Sequence, residues 1–439
     1  MINTIYKPIK VTLASALTFV KVPKDFIDSK LSGLAPWYQM NLGVYKLNLI
    51  SDPNILNYVL KENEINYTKS KVYWHELKRM VGPSVGSLEG DDWKLLRKLE
   101  SVHFTPKVAQ QLMPNYLKYL DQFLNNWKSN NTSFNLLESF AVLNITFILK
   151  TLFNMEEASR GEKIAEYIAD GEFIIAHRSK FPWRPYTAWL NGMNLRYKKH
   201  VKYFHAYAKE SVRLFKESPK TPSLIDSLLK DDQLKFDKID LLRNEIIVHL
   251  GASTETTAVA ESWILILLAR NPEKLKILKD EIRQIDTELI GVKHIERLKY
   301  TTAVVYETLR LFPPSHAIVR DAIKEDTVLG VKVKSGEVMF ISSYAMHRNP
   351  TYWNNPQDFI PERFIGANIN KMDHFVPFGA GKHICIGQHI ALPMLTLAIS
   401  NFINRFEYNI ENLDKIHGIA LSTLKPNIPV QMKLKTRKL

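Results

Sequence analysis

The chain has 439 residues, of which 45% are hydrophobic and 24% are charged. This composition excludes a largely disordered chain, because the apolar content is sufficient for an extensive core. The formal net charge of +14 would suit a nucleic acid, an anionic membrane or an acidic protein as partner. The basic residues are scattered, however, and no basic run is interleaved with aromatic residues. We therefore expect most of them to be solvated, and we expect no nucleic-acid partner.

The first apolar stretch runs from Val11 to Val20 and is closed by Lys21. It is about half as long as the ~20 residues that a helix needs to span a bilayer. The core of a signal peptide is an alternative, since lysines precede the stretch. No small-residue cleavage site follows cleanly, and we expect an uncleaved first helix, no transmembrane anchor and at most a peripheral membrane contact.

Most of the chain is predicted to be helical, because apolar residues recur at helical spacing. The first predicted elements are a strand at Val44–Ser51 and helices at Asp91–Ser101, Met113–Trp127, Gly161–Ala176 and Asn194–Phe215. The longest predicted helix, Ile239–Arg270, would measure roughly 45 Å, which is the width of a whole domain. The later predicted elements are a helix at Arg297–Phe312, strands at Val328–Val333 and Glu337–Ser342, and a last helix from about Cys385 to Phe406.

The only cysteine of the chain, Cys385, lies in the run Phe378–Gly387, FGAGKHICIG. A single cysteine excludes an intramolecular disulfide and is most often a small buried hydrophobe. Here, glycines allow tight turns before it, and a helix is predicted to begin at it. The amide groups and the positive end of a helix stabilise a thiolate, which is a strong anionic donor to iron.

This run resembles F-x-x-G-x-x-x-C-x-G, the haem-binding signature of the cytochrome P450 superfamily, whose members hold haem iron by a cysteine thiolate. The resemblance implies that Cys385 is the metal ligand and that Phe378, Gly387 and Ala252 contact the cofactor, haem b. It also implies a mainly α fold, a triangular helical prism with small β-sheets, built as a single domain over residues 1–439.

Two further motifs resemble the same family. Glu307-Thr308-Leu309-Arg310 is similar to its E-x-x-R, and Pro361–Phe364 is similar to its P-E-R-F. Residues three apart on a helix can pair, although an exposed pair of this kind contributes little to stability. The resemblance implies that Arg363 joins Glu307 and Arg310 in a structural triad that holds the cysteine loop.

Four residues match positions that bind the haem propionates in the family. Trp93 and Arg97 form its W-x-x-x-R, and a guanidinium offers planar donors to a carboxylate. His383 and Arg320 match two other such positions. The alternative for His383 is an ordinary surface histidine.

Gly251–Thr257, GASTETT, lies midway along the longest predicted helix and is similar to the family's oxygen-activation segment. The resemblance implies that Glu255 and Thr256 are catalytic, with Thr256 binding at the oxygen site and Glu255 relaying protons on a locally opened helix. The alternative is a threonine hydroxyl that bonds to the preceding helical carbonyls. Ser253 stands where the family usually has glycine, and Pro393 should kink the last helix.

The resemblance implies a monooxygenase that inserts one atom of dioxygen into an apolar organic substrate by hydroxylation or epoxidation. NAD(P)H would supply electrons through a separate acidic ferredoxin or flavodoxin and its reductase, since we expect no fused reductase. We expect a soluble, cytoplasmic and bacterial protein. The alternatives are a peroxide-using haem-thiolate enzyme (a peroxygenase or a rearrangement enzyme) and a non-catalytic haem sensor. The acid–alcohol pair at 255 and 256 argues against both.

The substrate pocket is expected to be large and apolar, by the positions that meet substrate in the family. Its predicted lining is Trp74, Leu77, Met80, Phe173, Ile174, Ala252, Ile318 and Leu424, together with Phe181 and Trp183. A terpenoid, a fatty acyl chain, a steroid-like compound or a polyketide would suit these residues. Ordinary core packing is the alternative for each residue taken singly.

Overall fold

The three-dimensional structure is a computed structural model that describes residues 6–21, 23–30, 35–43, 46–129, 133–153, 161–180, 192–217 and 223–436. Two residues of the predicted substrate pocket, Phe181 and Trp183, lie outside the described residues. No helix of the described part is both long and apolar enough to cross a membrane.

Helices dominate the described residues, as the helical spacing of apolar residues predicts. They are α1 (Leu13–Lys21), α2 (Pro23–Asp28), α3 (Pro53–Asn57), α4 (Lys71–Val81), α5 (Gly90–Ser101), α6 (Pro106–Ser129), α7 (Leu136–Leu152), α8 (Gly161–Lys180), α9 (Met193–Glu217), α10 (Leu224–Lys230), α11 (Lys238–Arg270), α12 (Pro272–Arg283), α13 (Lys299–Leu311), α14 (Ser343–Met346) and α15 (Gln388–Arg405). The mainly α fold predicted from the sequence is confirmed.

The strands are short and form small sheets. They are β1 (Ile9–Val11), β2 (Trp37–Asn41), β3 (Lys46–Ile50), β4 (Tyr67–Lys69), β5 (Phe134–Asn135), β6 (Ile318–Ala322), β7 (Asp326–Val328), β8 (Val331–Val333), β9 (Val338–Ile341), β10 (Phe406–Ile410), β11 (Gly418–Ala420), β12 (Leu424–Pro426) and β13 (Gln431–Thr436). The largest sheet has the order β1-β2-β3-β9-β6-β4, and β10-β13-β5 form a second sheet. The pairs β11-β12 and β7-β8 stand alone.

Helix α11 is the spine of the molecule. The Asp237 side chain caps its first turn by accepting from the N–H of Asp240, and Pro272 follows its end. Every residue from Thr257 to Leu268 is buried, so this part of the helix is surrounded by protein on all sides. Because α11 packs against α7, α9 and α15, it brings residues from distant parts of the sequence to one cavity.

Two details of the sequence-based prediction are wrong. Val328–Val333 is not one strand but a hairpin, because Leu329 and Gly330 both adopt positive φ and form its turn. The last helix begins at Gln388, so Cys385 lies in the turn before it. The helix Gln388–Arg405 continues through Pro393, and the expected kink there stays a prediction.

Candidate functional site

The cysteine loop is held by short backbone contacts. The Cys385 N–H donates to the Phe378 carbonyl over 2.9 Å, which closes the loop on itself. Gly381 has a φ of +71°, and a Cβ on it would lie 2.0 Å from the Leu60 carbonyl oxygen. Only glycine tolerates both the conformation and the approach, so this position fixes the loop against its neighbouring segment.

The Cys385 side chain faces an internal cavity, where it is accessible. Burial among protein atoms raises the pKa of its thiol. The N–H groups of Gly387 and Gln388 and the Arg97 guanidinium oppose this rise, because they favour the thiolate. A Cβ on Gly387 would lie 4.0 Å from the sulfur, which is ordinary van der Waals contact, so Gly387 is directly beside the ligand position.

The predicted triad is formed, with Glu307 and Arg310 fully buried and Arg363 partly buried. The Arg310 guanidinium donates to both carboxylate oxygens of Glu307, at 2.7 and 2.8 Å, and Arg363 Nε lies 3.4 Å from Oε1 of the same carboxylate. Arg310 also donates to the His347 carbonyl at 2.8 Å, and the His347 ring accepts from the Val376 N–H at 2.9 Å. These bonds connect the triad to the segment that leads into the cysteine loop.

A cavity of about 660 Å³ opens beside Cys385. Most of the predicted site residues lie on its wall. They are Trp74, Leu77, Met80, Trp93, Arg97, Ala252, Glu255, Thr256, Ile318, Arg320, Phe378, His383, Cys385 and Gly387. The wall therefore brings together the cysteine loop, the predicted propionate-binding residues, the acid–alcohol pair and most of the predicted substrate contacts.

Phe173, Ile174 and Leu424 are predicted pocket residues that do not line the cavity. On α8 the wall is formed instead by Ile168, Gly171, Glu172 and Ile175, so Phe173 points away and is half exposed. Ile174 packs beside Met80. Leu424 is buried, and its carbonyl accepts from the indole of Trp263. Whether each of these side chains lines the cavity depends on its register along the chain and on its burial, which the resemblance did not resolve.

Basic groups gather at one edge of the cavity. Arg97 Nη2 donates to the Ile384 carbonyl at 2.7 Å, and Arg320 Nη1 donates to the Val319 carbonyl at 2.9 Å. His383 packs on the Trp93 ring at 4.1 Å and lies 3.2 Å from the Glu89 carboxylate. It is therefore not a free surface histidine, and burial lowers its pKa.

Lys69 belongs to the same edge but was missed by the sequence analysis. Its ammonium donates to the carbonyls of Val85, Gly86 and Leu88, and burial lowers its pKa to about 8. A lone lysine in a short strand carries no pattern by which it could have been found. Its contacts hold the loop that precedes α5.

These residues fit a haem with two propionates. Among the described residues, Arg97 and Arg320 have no carboxylate as an ion-pair partner, although burial lowers the pKa of both guanidiniums. Burying an unpaired cation is costly, and anionic groups at the cavity edge would offset that cost. The thiol on one wall and the two arginines at the edge match the iron ligand and the carboxylates of such a group.

The acid–alcohol pair lies on the α11 side of the cavity. Glu255 Oε1 accepts from Thr423 at 2.7 Å and from Lys425 at 3.1 Å, while its buried Oε2 has no hydrogen-bond partner among the described residues. Thr256 Oγ1 donates to the Ala252 carbonyl at 2.5 Å. Ser253 Oγ likewise donates to the His249 carbonyl, four residues earlier in the helix. The expected opening of the helix is absent, because α11 is continuous through these residues.

Glu172 is a second carboxyl group on the cavity wall, and the sequence analysis did not single it out. Burial raises its pKa to about 7, and the neighbouring Glu255 carboxylate adds to the rise. Ser422 and Lys425 oppose it. A charged residue on the otherwise apolar face of α8 was the signal that could have revealed it.

Comparisons with known proteins agree with this geometry. Residues 24–434 match the family model described as Cytochrome P450. Drimenol monooxygenase of Persicaria hydropiper is 28% identical over 76% of this chain and 70% of its own length. Cytochrome P450 97B2, chloroplastic, of Glycine max is 24% identical over 89% of this chain and 81% of its own length. Cytochrome P450 4Z1 of Homo sapiens is 28% identical over 82% and 76%.

These relatives come from plants and human, so they give no support to the expected bacterial source. The family match covers nearly the whole chain and includes every motif on which the resemblance was based. The relatives include a protein named as a monooxygenase. The chain belongs to the cytochrome P450 family and is a cytochrome P450 monooxygenase.

Proposed function

We propose that this monooxygenase holds haem b by Cys385 and hydroxylates or epoxidises a large apolar substrate in the cavity. The observation that carries the proposal is one cavity shared by the Cys385 sulfur and the Glu255–Thr256 pair. Bound haem would supply the reductive activation of dioxygen, and its thiolate ligand favours O–O cleavage. We further propose that residues 1–439 form a single domain.

The chain's own residues would hold this group from three directions. Cys385 binds the iron, Arg97 and Arg320 receive the two propionates, and the Trp93–His383 contact closes that edge. Phe378, Gly387 and Ala252 contact the macrocycle. The Glu307–Arg310–Arg363 triad stabilises the cysteine loop through His347, and it has no chemical role.

Residues on the α11 side of the cavity would deliver protons. Lys425 is partly exposed and contacts Oε1 of the buried Glu255 carboxylate. A proton can therefore pass from solvent to Glu255, whose unpartnered Oε2 can donate it into the cavity. The Thr256 hydroxyl would leave the Ala252 carbonyl to hydrogen-bond at the oxygen site.

One wall of the cavity is apolar and is formed by Trp74, Leu77, Met80 and Ile318. This apolar surface supports the proposal that the substrate is a terpenoid, a fatty acyl chain, a steroid-like compound or a polyketide.

We propose that electrons come from NAD(P)H through a separate acidic ferredoxin or flavodoxin and its reductase. The net charge of +14 supports an acidic carrier.

The ferrous–carbonyl spectrum tests this proposal. The purified protein should show the red-shifted Soret band of thiolate ligation, and Cys385→Ala should lose it completely, because no other cysteine can substitute. Ser400→Ala is a matched control, since Ser400 is a buried polar residue of α15 away from the cavity. A wild-type spectrum typical of histidine ligation would contradict the proposal. Faster turnover with hydrogen peroxide alone than with a reductase system would instead indicate a peroxide-using enzyme.

A further inference from the structure

Three buried side chains from two helices meet behind the wall of the cavity. Glu100 lies on α5, one turn after Arg97, and Glu245 and His249 lie one turn apart on α11. Their exposed fractions are 0%, 0% and 6%. The proposed monooxygenase reaction uses none of them.

The donor atoms of this cluster converge. One atom from each residue lies within 4.8 Å of the other two. His249 Nε2 is 3.3 Å from Glu100 Oε2 and 3.7 Å from Glu245 Oε2, which is longer than a good hydrogen bond. Two donors placed tetrahedrally at zinc-ligand distances of about 2.0–2.2 Å lie roughly 3.3–3.6 Å apart. The spacing is therefore that of ligands around one ion.

The same atoms lack other partners. Apart from a side-chain hydrogen bond between Glu100 and Glu245 within the cluster, both Glu100 carboxylate oxygens, Glu245 Oε2 and His249 Nε2 are buried without a hydrogen-bond partner among the described residues. Buried polar atoms of this kind are rare in folded proteins, and a bound ion is one way to satisfy a cluster of them.

The orientation of the ligands is set by neighbouring contacts. Glu245 Oε1 accepts from the Val85 N–H at 2.9 Å, which directs Oε2 toward the cluster. The His249 ring stacks on Phe104 with a centroid distance of 5.4 Å. Burial lowers the pKa of His249, which keeps the imidazole in the neutral form that binds metals.

Charge balance also favours a cation. Glu100 and Glu245 are both fully buried and lie close together. Two buried carboxylates repel each other, whereas two carboxylates, a neutral imidazole and a divalent cation sum to zero charge.

We propose that Glu100, Glu245 and His249 bind a Zn²⁺ ion. Imidazole nitrogen and carboxylate oxygen are both zinc ligands, and a water molecule would complete the tetrahedron. The ion would tie α5, which carries Trp93 and Arg97, to α11, which carries Glu255 and Thr256. It would thereby stabilise two walls of the cavity.

Metal analysis of the haem-loaded enzyme tests this proposal. After removal of any purification tag and dialysis against a chelator, the enzyme is loaded with ZnCl₂, desalted and analysed for zinc by mass spectrometry. We expect one zinc ion per chain in addition to iron, together with a rise in Tm.

Two variants locate the ion. Glu245→Gln keeps the acceptor for the Val85 N–H, and His249→Phe keeps the stacking on Phe104. Each should weaken zinc binding by more than the about 10–100-fold that loss of an outer-shell partner causes. Glu261→Gln is the matched control, because Glu261 is equally buried on α11 but lies outside the cluster, and it should bind zinc like the wild type. Haem content and the ferrous–carbonyl spectrum report folding separately.

A wild-type enzyme that retains no zinc and shows no Tm shift would overturn the proposal, and the cluster would then share protons instead. Zinc retained equally by Glu245→Gln and His249→Phe would also overturn it, because the ion would lie elsewhere. Loss of the haem spectrum in wild type would count against the monooxygenase proposal without deciding the zinc result.

Discussion

The Thr256 hydroxyl can hydrogen-bond either to a carbonyl of its own helix or to a group in the cavity. In the structure it donates to the Ala252 carbonyl while its side chain lines the cavity wall. Thr256→Ala should leave haem content and substrate binding near normal, because the helix needs no side-chain bond. The product formed per reductant consumed should fall by about tenfold or more, and hydrogen peroxide should rise, since a positioned proton donor is lost.

Parallel measurement of NAD(P)H consumption, peroxide and product checks this expectation. Thr256→Ser is the control, because it keeps the hydroxyl and should keep most of the coupling. If Thr256→Ala couples as well as wild type, proton delivery depends on Glu255 and water without Thr256.

Glu172 predicts a pH dependence of ligand binding. Its pKa of about 7 means that the carboxyl is neutral below pH 7 and charged above it, with Glu255, Ser422 and Lys425 as the polar groups that face it. An apolar ligand that covers Glu172 must remove water from a charge at high pH. Its affinity should therefore fall as the pH rises from 6 to 8. The fall should be up to about tenfold for each unit by which the bound ligand raises the Glu172 pKa.

Difference spectra with one apolar ligand at several pH values measure this effect. Glu172→Gln should remove the dependence, since the amide is neutral throughout. Glu166→Gln, an exposed change on the same helix, should retain it. An identical pH profile in Glu172→Gln and wild type would exclude Glu172 as the titrating group.

At the scale of elements, the cysteine loop depends on one glycine. Gly381 combines positive φ with an approach to Leu60 that leaves no room for a Cβ, so Gly381→Ala should displace the loop and most of the haem should be lost. Gly366 has the same φ of +71° but open space around it. Gly366→Ala should therefore cost only about 1 kcal/mol of stability and keep its haem.

The haem-to-protein absorbance ratio of the two purified variants measures the difference. Equal haem content in both would show that the contact with Leu60 does not constrain the loop.

At the scale of the whole molecule, the basic charge predicts how an electron carrier docks. Helix α5 and the cysteine loop contact each other through Arg97 and Ile384. These elements and their neighbours carry exposed lysines, namely Lys94, Lys98, Lys107, Lys371 and Lys382. Opposite fields speed the encounter with an acidic carrier, and the Debye length shrinks from about 10 Å at 0.1 M salt to about 3 Å at 1 M.

Added salt should therefore slow first-electron reduction, and the double change Lys98→Glu and Lys382→Glu should slow it further without altering substrate affinity. Stopped-flow reduction by an acidic ferredoxin measures both effects. The double change Lys198→Glu and Lys209→Glu on α9 has the same charge and should have little effect. If neither salt nor either double change alters the reduction rate, the net positive charge has another role, such as binding to an anionic membrane surface.

The sequence by itself determined the elements and the local motifs of this protein. Glu307 and Arg310 can pair because they lie one turn apart, and the cysteine run contains its own glycines and its own following helix. Such features depend on neighbours in the chain, which the sequence displays directly. The same local logic could have revealed Glu245 and His249, which lie four residues apart on one helical face, and Glu100, which interrupts the apolar face of α5.

Only the tertiary structure decided which of these features meet. It placed Glu172 beside Glu255, Lys69 beneath the loop before α5, and Glu100 against Glu245 and His249, and it turned Phe173 and Leu424 away from the cavity. The physical reason is that these contacts join residues far apart in the chain. The packing of whole helices around α11 sets them, and a one-residue shift along a helix turns a side chain by about 100°.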